Sequence, residues 1–489
     1  MLRDRATALK ASHTREFSGA TIVVRCSAWL FFLVVALAPL PLGSAGVVAP
    51  AFWAILLGCA LPGLLALRPR TGQLAVLVAV AILAIAYLIV MHDQLAIDPW
   101  LPVAPNPLWQ EVAPLIGANL RPSVAIARNQ PFFSAGLAIV WLLALAGGVM
   151  LGTDRRLARQ LLLVVAIAGA AYAMVGVATF IIDPSRVFLL YEKQAHIGSL
   201  TSPFINRNTA AVYYGCCALI WLMLCLEQIE RHLPSGKPTW SRFRRRLDRQ
   251  AGKKIIIFGI AWLICLLAMF LTVSRAGVGV SLLTSVGAAV AFFHRRFHRS
   301  RAVAIMAGGG MIAALVLLEV MGGGVGGRFS SQGLSDEGRF STYRAVWRII
   351  SDYPWLGTGF GTFEWVYPAY RTDDISMSGI WNRAHNSFLE LAAGGGMLIT
   401  AIVIIALIAV LAILAHGIRT RRRDLIFPVV ALFSTLAAVL HSNVDFSLQI
   451  PGYAIVIAGV LGIGLAQSFR TDPNSSKTEE PRAPEALGR

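Results

Sequence analysis

The chain is short of charge. Only 14% of its 489 residues are Asp, Glu, Lys or Arg, against about a quarter in an ordinary soluble domain. With 56% hydrophobic residues and a mean hydropathy of +0.67, that shortage excludes a water-soluble globular protein. Cysteine is scarce as well. Cys26, Cys59, Cys216, Cys217, Cys225 and Cys265 all fall in or beside apolar runs. That placement argues against a disulfide framework or a thiol-ligated metal and leaves buried packing as their expected role. Internal repeats of fixed period are lacking. So is a small-residue cleavage site after the basic N-terminal segment, so the first apolar run reads as a retained helix instead of a removed signal peptide.

What the chain has is long apolar runs, near 26–42, 47–67, 72–91, 132–152, 160–182, 209–226, 255–273, 276–293, 302–321, 387–415, 425–441 and 452–468. About 20 apolar residues in a helix cross roughly 30 Å of hydrocarbon. The expected fold is therefore all-α: a polytopic helical membrane protein with about twelve transmembrane helices. Residues 1–25 read as a cytoplasmic segment, 26–468 as one membrane domain and 469–489 as a disordered cytoplasmic tail.

The net charge of +18 is distributed by side. Lys and Arg gather in every second gap: Arg68 and Arg70; Arg155, Arg156 and Arg159; Arg242 to Lys254; Arg295 to Arg301; and Arg419 to Arg423. By the positive-inside rule these gaps and both termini are cytoplasmic, and the polybasic 242–254 loop is a topology determinant against anionic lipid, not a nucleic-acid site. The gaps 92–131, 183–208, 274–275, 322–386 and 442–451 then face outward. The large outer loop 322–386 balances six Arg against six Asp or Glu, so its arginines do not serve topology and are candidates for function.

Four outer-side segments carry possible chemistry. In Asn206-Arg207-Asn208-Thr209, Asn208 or Thr209 is expected to cap the helix that follows, and Arg207 is either a snorkelling anchor or a ligand contact. In Thr272-Val273-Ser274-Arg275 the chain reverses within very few residues. Arg275 therefore sits on rigid helix ends, which suits phosphate binding if it is more than a turn residue.

The third segment repeats Phe340, Tyr343, Val346, Trp347 and Ile350 at helical spacing, as expected of an amphipathic helix at the outer interface. Arg339 lies near its start, and Pro354 with the glycines ends it. Gly357-Thr358-Gly359-Phe360-Gly361 has neither a preceding strand nor a following Lys-Ser/Thr, so it reads as a turn, not a phosphate loop. In the fourth, Arg383-Ala384-His385-Asn386-Ser387-Phe388-Leu389-Glu390, His385 stands at a helix entrance and Asn386 and Glu390 share a face. A histidine there is either a general base or an interfacial residue bonded to a carbonyl. His294 and His298, among inner-side arginines, are not expected to bind metal.

The ordered set Pro-Phe-Ile-Asn-Arg-Asn (203–208), Ser-Arg-Ala-Gly (274–277), Gly-Arg-(x)3-Tyr-Arg (338–344), Tyr-Pro-Trp-Leu-Gly-Thr-Gly (353–359), His-Asn-Ser-Phe-Leu-Glu (385–390) and His441-Ser442-Asn443-Val444-Asp445-Phe446 resembles the O-antigen ligase/polymerase superfamily, over roughly 200–455. The resemblance implies a type-C-like helical glycosyltransferase. It would use a polyprenyl-diphosphate-linked glycan as donor at the periplasmic leaflet of a bacterial inner membrane, and lipid A core or another glycan as acceptor. Membrane lipids are its expected surroundings, and it needs no cofactor.

The family's functional arginines and histidine fall on Arg275, Arg339 and His385, and Asp445 is expected beside them as an orienting carboxylate. Arg207, Asn206, Asn208, Asn386, Glu390 and Tyr343 are the remaining expected substrate contacts. With two arginines to meet a departing diphosphate and no Asp-x-Asp motif, metal-independent inverting transfer is implied; Asp373-Asp374 reads as solvated loop charge. The shared motifs leave ligase and polymerase open. A transporter or flippase is the rival class, but it would place polar or helix-breaking residues near mid-span. Here they gather at outer ends.

Overall fold

The computed structural model describes residues 22–117, 120–233, 249–294, 308–310, 312, 334–373, 381–421 and 423–469. Helices dominate. The first group comprises α1 (Ile22–Leu37), α2 (Ala49–Leu64), α3 (Thr71–Leu95), α4 (Leu108–Ile116), α5 (Gln130–Leu151), α6 (Arg155–Ile182) and α7 (Arg207–His232). The second comprises α8 (Arg249–Leu271), α9 (Arg275–Phe293), α10 (Leu334–Asp352), α11 (Phe363–Tyr370), α12 (Ser387–Thr420), α13 (Ile426–His441) and α14 (Pro451–Ala466). A two-residue antiparallel pair, Arg186–Val187 with Tyr191–Glu192, interrupts the loop after α6.

Among the described residues, eight helices are long and apolar enough to cross a membrane, and α1, α13 and α14 are shorter apolar helices. Each apolar run of the sequence thus coincides with a helix except 302–321, which lies almost wholly outside the described residues. The same holds for the terminal segments 1–21 and 470–489, much of the 242–254 loop, His298 and Asp374.

Burial separates the helices into two kinds. α14 is buried from Pro451 to Ala466 without a break, as expected of a helix that is apolar all round. It lies directly on α5 through glycines: a Cβ on Gly462 would stand 2.6 Å from Leu145 O and 2.6 Å from Val149 N, and one on Gly148 would stand 2.6 Å from Gly459 O. Small residues let the two backbones touch, which is how helices gain packing where lipid removes the hydrophobic drive between them. α7 is the other central helix. By contrast α3, α8 and α12 expose apolar stripes, among them Val78, Ile82, Ile85, Ile256, Ile260, Leu263, Ile404, Ile405 and Ile408. Such faces belong against hydrocarbon.

The gaps assigned to one side do meet at one end of the bundle. Gln73 donates to Ala466 O and Gln467 to Gly152 O; Arg155 pairs with Asp424, and Arg421 donates to Phe469 O. At the opposite end, Gln94 at the close of α3 donates to Leu356 O and Gly394 O and accepts from Phe360 N. The glycine segment is a turn, with φ of +65°, +108° and +74° at Gly357, Gly359 and Gly361. It docks where α12 breaks: Thr358 N and Gly359 N donate to Ala393 O and Gly394 O, next to Gly396 at φ +80° and ψ 173°. The turn therefore takes up carbonyls that the broken helix leaves free.

Three expectations change. The cap of α7 is Asn206, whose side chain accepts from Asn208 N, so Asn208 and Thr209 lie inside the first turn. On α10 the buried face is Ala345, Val346, Ile349 and Ile350, while Phe340 and Trp347 are 66% and 54% exposed. The repeat counted both edges of the face as its centre. Cys26 and Cys59 are exposed on their helices, whereas Cys216, Cys217 and Cys265 are buried. Apolar sequence does not distinguish a lipid-facing position from a core one.

Candidate active site

Three helix N-termini meet at the end of the bundle that the charge pattern reads as outer, each closed by a side chain typical of that position. Asn206 caps α7, Ser274 caps α9 by accepting from Gly277 N, and Asn386 caps α12 by accepting from Phe388 N and Leu389 N. Each terminus carries a partial positive charge, so their meeting favours an anion. Arg207 and Arg275 are the first residues of α7 and α9 and bring full charges to the same place. α7 and α9 are held together there: Ser274 Oγ donates to Asn208 Oδ1 at 2.8 Å, and a Cβ on Gly277 would lie 2.5 Å from the Ala211 Cβ. Val273, at φ +55°, makes the reversal tight.

Asp445, only 1% exposed, is the hub. Because Asn208 Oδ1 receives Ser274, its amide nitrogen faces Asp445 and donates to Oδ1 at 3.3 Å. Ser447 Oγ donates to Oδ2 at 3.0 Å, and His385 Nδ1 stands 3.6 Å from Oδ1. Burial pushes the Asp445 carboxyl up, but His385, His441 and Ser447 together outweigh it and hold it below its ordinary value of 3.8. His385 Nδ1 has no hydrogen-bond partner among the described residues. An ionised carboxylate only accepts, so across 3.6 Å it favours by charge the Nδ1–H tautomer of a neutral imidazole, with the lone pair left on Nε2. That is the tautomer a general base requires.

The loop carrying His385 is fixed on every side. His385 itself has φ +53°, a conformation a non-glycine residue holds only when its surroundings impose it. Those surroundings are the Tyr343 hydroxyl, 3.0 Å from His385 O and 3.2 Å from Asn443 O, and Asn386 Nδ2, which donates to Asn443 O. Ser387 N donates to Ser442 O. Glu390 accepts from Ala384 N at 2.8 Å and from Arg383 at 3.1 Å, and Arg383 also donates to Gln449 at 2.8 Å. Glu390, Asn386 and Tyr343 therefore hold the backbone around the histidine. The ring edges of Phe446 and Trp381 flank the imidazole, with centroids at 5.2 and 6.0 Å.

The structure thus brings His385, Asp445, Asn386, Tyr343, Glu390, Asn206 and Asn208 into one connected cluster, and Arg207, between Asn206 and Asn208 in the chain, acts electrostatically on the nearby His196. Arg275 stands beside Ser274 at the edge of the cluster, exposed. Arg339 is half-buried and close enough to act electrostatically on His441.

Sequence reasoning passed over Ser274, Ser447, His441 and His196. The first three lie inside or just beyond the quoted motifs, and a run of polar residues between apolar helices was the available signal. His196 had none. It lies in the loop after α6, feels Arg207, Asp445, Lys193 and His385, and is pushed down to about 4, first by burial and then by the Arg207 charge. Among the described residues no group of three or more His, Cys, Asp or Glu is placed to hold a metal ion.

In this helical membrane protein, charged and capped helix ends gather around a buried carboxylate and a histidine, an arrangement able to face an anion and to move a proton. Residues 260–404 match the family model described as O-antigen ligase, which supports placing the chain in the O-antigen ligase/polymerase superfamily. The match runs from the middle of α8 to the first half of α12 and so includes Arg275, Arg339, Tyr343 and His385. No curated protein matches the chain.

Proposed function

We propose that this protein is a periplasmic-face glycosyltransferase that moves a glycan from a polyprenyl-diphosphate carrier to an acceptor hydroxyl. The observation that carries the reading is His385, held with Nδ1 toward the buried Asp445 carboxylate at a junction of helix N-termini and arginines. His385 Nε2 takes the proton of the acceptor hydroxyl as its oxygen attacks the anomeric carbon. Asp445 stabilises the imidazolium that results. The bond from the anomeric carbon to the diphosphate oxygen breaks with its electron pair on the diphosphate.

Arg275 and Arg339 meet the growing negative charge with the paired N–H geometry of guanidinium, aided by the dipoles of α7, α9 and α12. A single displacement of this kind inverts the anomeric centre and needs no metal ion. The inner membrane is the site of action, with the acceptor either lipid A core, in a ligase, or a further glycan repeat, in a polymerase.

The test is a deletion strain complemented with wild type or with His385→Ala, followed by gels of lipopolysaccharide and secreted polysaccharide. Lipid-linked polymer accumulating over bare core marks a ligase, and core capped by single repeats marks a polymerase. Unchanged glycans with His385→Ala overturn the role of the histidine.

A further inference from the structure

A second histidine lies behind the first. His441 ends α13, is 0% exposed and points Nδ1 at the Ser447 hydroxyl, 3.2 Å away. Ser447 has one proton, and its other contacts fix where that proton goes. Asp445 is ionised and offers only lone pairs, so Ser447 donates to Asp445 Oδ2 at 3.0 Å. The Ser447 oxygen must then receive, and it has two neighbours able to give: Thr209 Oγ1 at 3.3 Å and His441 Nδ1. With the Ser447 proton given to Asp445, a neutral His441 can bond Ser447 only as an Nδ1–H donor, and its buried Nε2 has no hydrogen-bond partner among the described residues. The backbone adds a second tie, since His441 O accepts from Val444 N at 3.0 Å and from Asp445 N at 3.1 Å.

We infer that His441 is a positioning residue for the transfer reaction, acting through Ser447 on Asp445 and through Asp445 on His385. The inference rests on the glycosyltransferase reading above. The physical reason is the division of labour on one carboxylate. Oδ1 faces His385 and Asn208, and among the described residues Ser447 is the one hydrogen-bond donor to Oδ2. With Ser447 held by His441, the carboxylate plane is set and Oδ1 stays aimed at His385 Nδ1. Without it the carboxylate can rotate, and the imidazole loses its orienting partner. Hydrogen-bonded chains of this kind strengthen link by link, so the distal donor matters although it never touches substrate.

The chemistry of the donor supplies the test. The side-chain nitrogen of Asn reproduces His Nδ1, and that of Gln reproduces Nε2. A packing role would favour Gln, which is nearer to His in volume. An Nδ1 donor role favours Asn.

Full-length His441→Asn, His441→Gln, Ser447→Ala and the His441→Gln/Ser447→Ala double variant are purified, checked for wild-type thermal unfolding, and assayed with lipid-linked glycan extracted from the deletion strain. The expected result is His441→Asn within about threefold of wild type, with kcat of His441→Gln and Ser447→Ala falling roughly tenfold to a hundredfold at unchanged KM. The double variant should be no worse than Ser447→Ala, since both act along one path. Wild-type kcat in His441→Gln, Asn no better than Gln, or losses that multiply in the double variant each overturn the inference while leaving the transferase reading intact. An inactive wild type overturns that reading, and the inference with it. Should His441→Gln unfold, the small Ser447→Ala change carries the same expectation and the same refutation.

Discussion

The two ends of the helix bundle handle buried acid groups in opposite ways. At the inner end Glu227 is gripped by two arginines, Arg159 at 2.5 Å and Arg231 at 3.0 Å, and Asp424 by Arg155 at 2.8 Å. At the outer end the more deeply buried Asp445 is held by an amide, a hydroxyl and a histidine at 3.6 Å. Arginine does not release a proton near neutral pH, so the inner pairs are static. Histidine is able to carry a proton and give it up, so on the proposed mechanism the outer carboxylate serves a group that changes charge. Carboxylates thus anchor helices through arginine at one end and, on the proposed mechanism, orient a proton-accepting histidine at the other.

The comparison breaks most directly at His385. Replacing it with Ala removes the proton acceptor and should lower transfer by roughly a thousandfold, the usual scale of a lost general base. The helix framework should survive, because the loop is held by Tyr343, Asn386 and Glu390 through backbone atoms. Release of glycan from lipid-linked donor, measured beside thermal unfolding, separates the two. Transfer within tenfold of wild type would move the proton acceptor elsewhere.

Arg275→Lys and Arg339→Lys come next. Lysine keeps the charge but loses the planar fork, and a kcat loss of roughly tenfold to a hundredfold is expected for each. Glu227 pairs with Arg159 and Arg231 in an ordinary ion pair, so Arg231→Lys, where charge alone suffices, is the matched control with unchanged kcat. Equal tolerance at both ends would erase the contrast between them.

Asp445→Asn should lower kcat roughly thirtyfold, since the amide offers the imidazole a poorer acceptor. It also gives a stability signature. The folded-state value of Asp445 lies below its ordinary 3.8, so the unfolded chain binds the proton more readily. The stabilisation from the ionised group is therefore present at pH 5 and 7, and fades as pH falls below 3.8 through the depressed value. Melting curves of wild type and Asp445→Asn should differ at pH 5 and draw together in stronger acid. A gap that widens with acid would mean a raised value and a neutral carboxyl.

Much of this was legible in the chain, for physical reasons that differ by feature. Apolar length specifies spanning helices because lipid offers the backbone no partners, and eleven runs coincide with α1–α3, α5–α9 and α12–α14. The alternation of Arg and Lys sorted the gaps, and Gln94 meeting Gly394 at one end while Arg155 meets Asp424 at the other agrees with it. His385 stood out as an ionisable group at a helix entrance, and Asp445 came with the resemblance as an orienting carboxylate beside it. What holds Asp445 did not stand out: Ser447 and Asn208 are joined to it across 2 and 237 positions, and only the second crosses helices. Nor did the break in α12, since a glycine cluster reads alike whether it packs a straight helix or receives a turn. His196 was invisible because a loop histidine has no periodicity to betray what it faces.

The smallest effect is expected at the inner end. Glu227→Gln removes the charge that Arg159 and Arg231 share while keeping shape and hydrogen-bonding capacity. Both arginines are partly exposed, 26% and 49% at their side chains, so water relieves part of what each loses. A destabilisation of about 1 kcal/mol is expected, read as a small drop in the thermal midpoint of the full-length protein in detergent. Transfer should be unchanged, because α7 carries Asn206 and Arg207 at its other end and the packing of its buried length does not depend on the pair. A kcat loss matching that of Asp445→Asn would show that the inner carboxylate is coupled to the outer centre through α7, and the two ends would then have to be treated as one device.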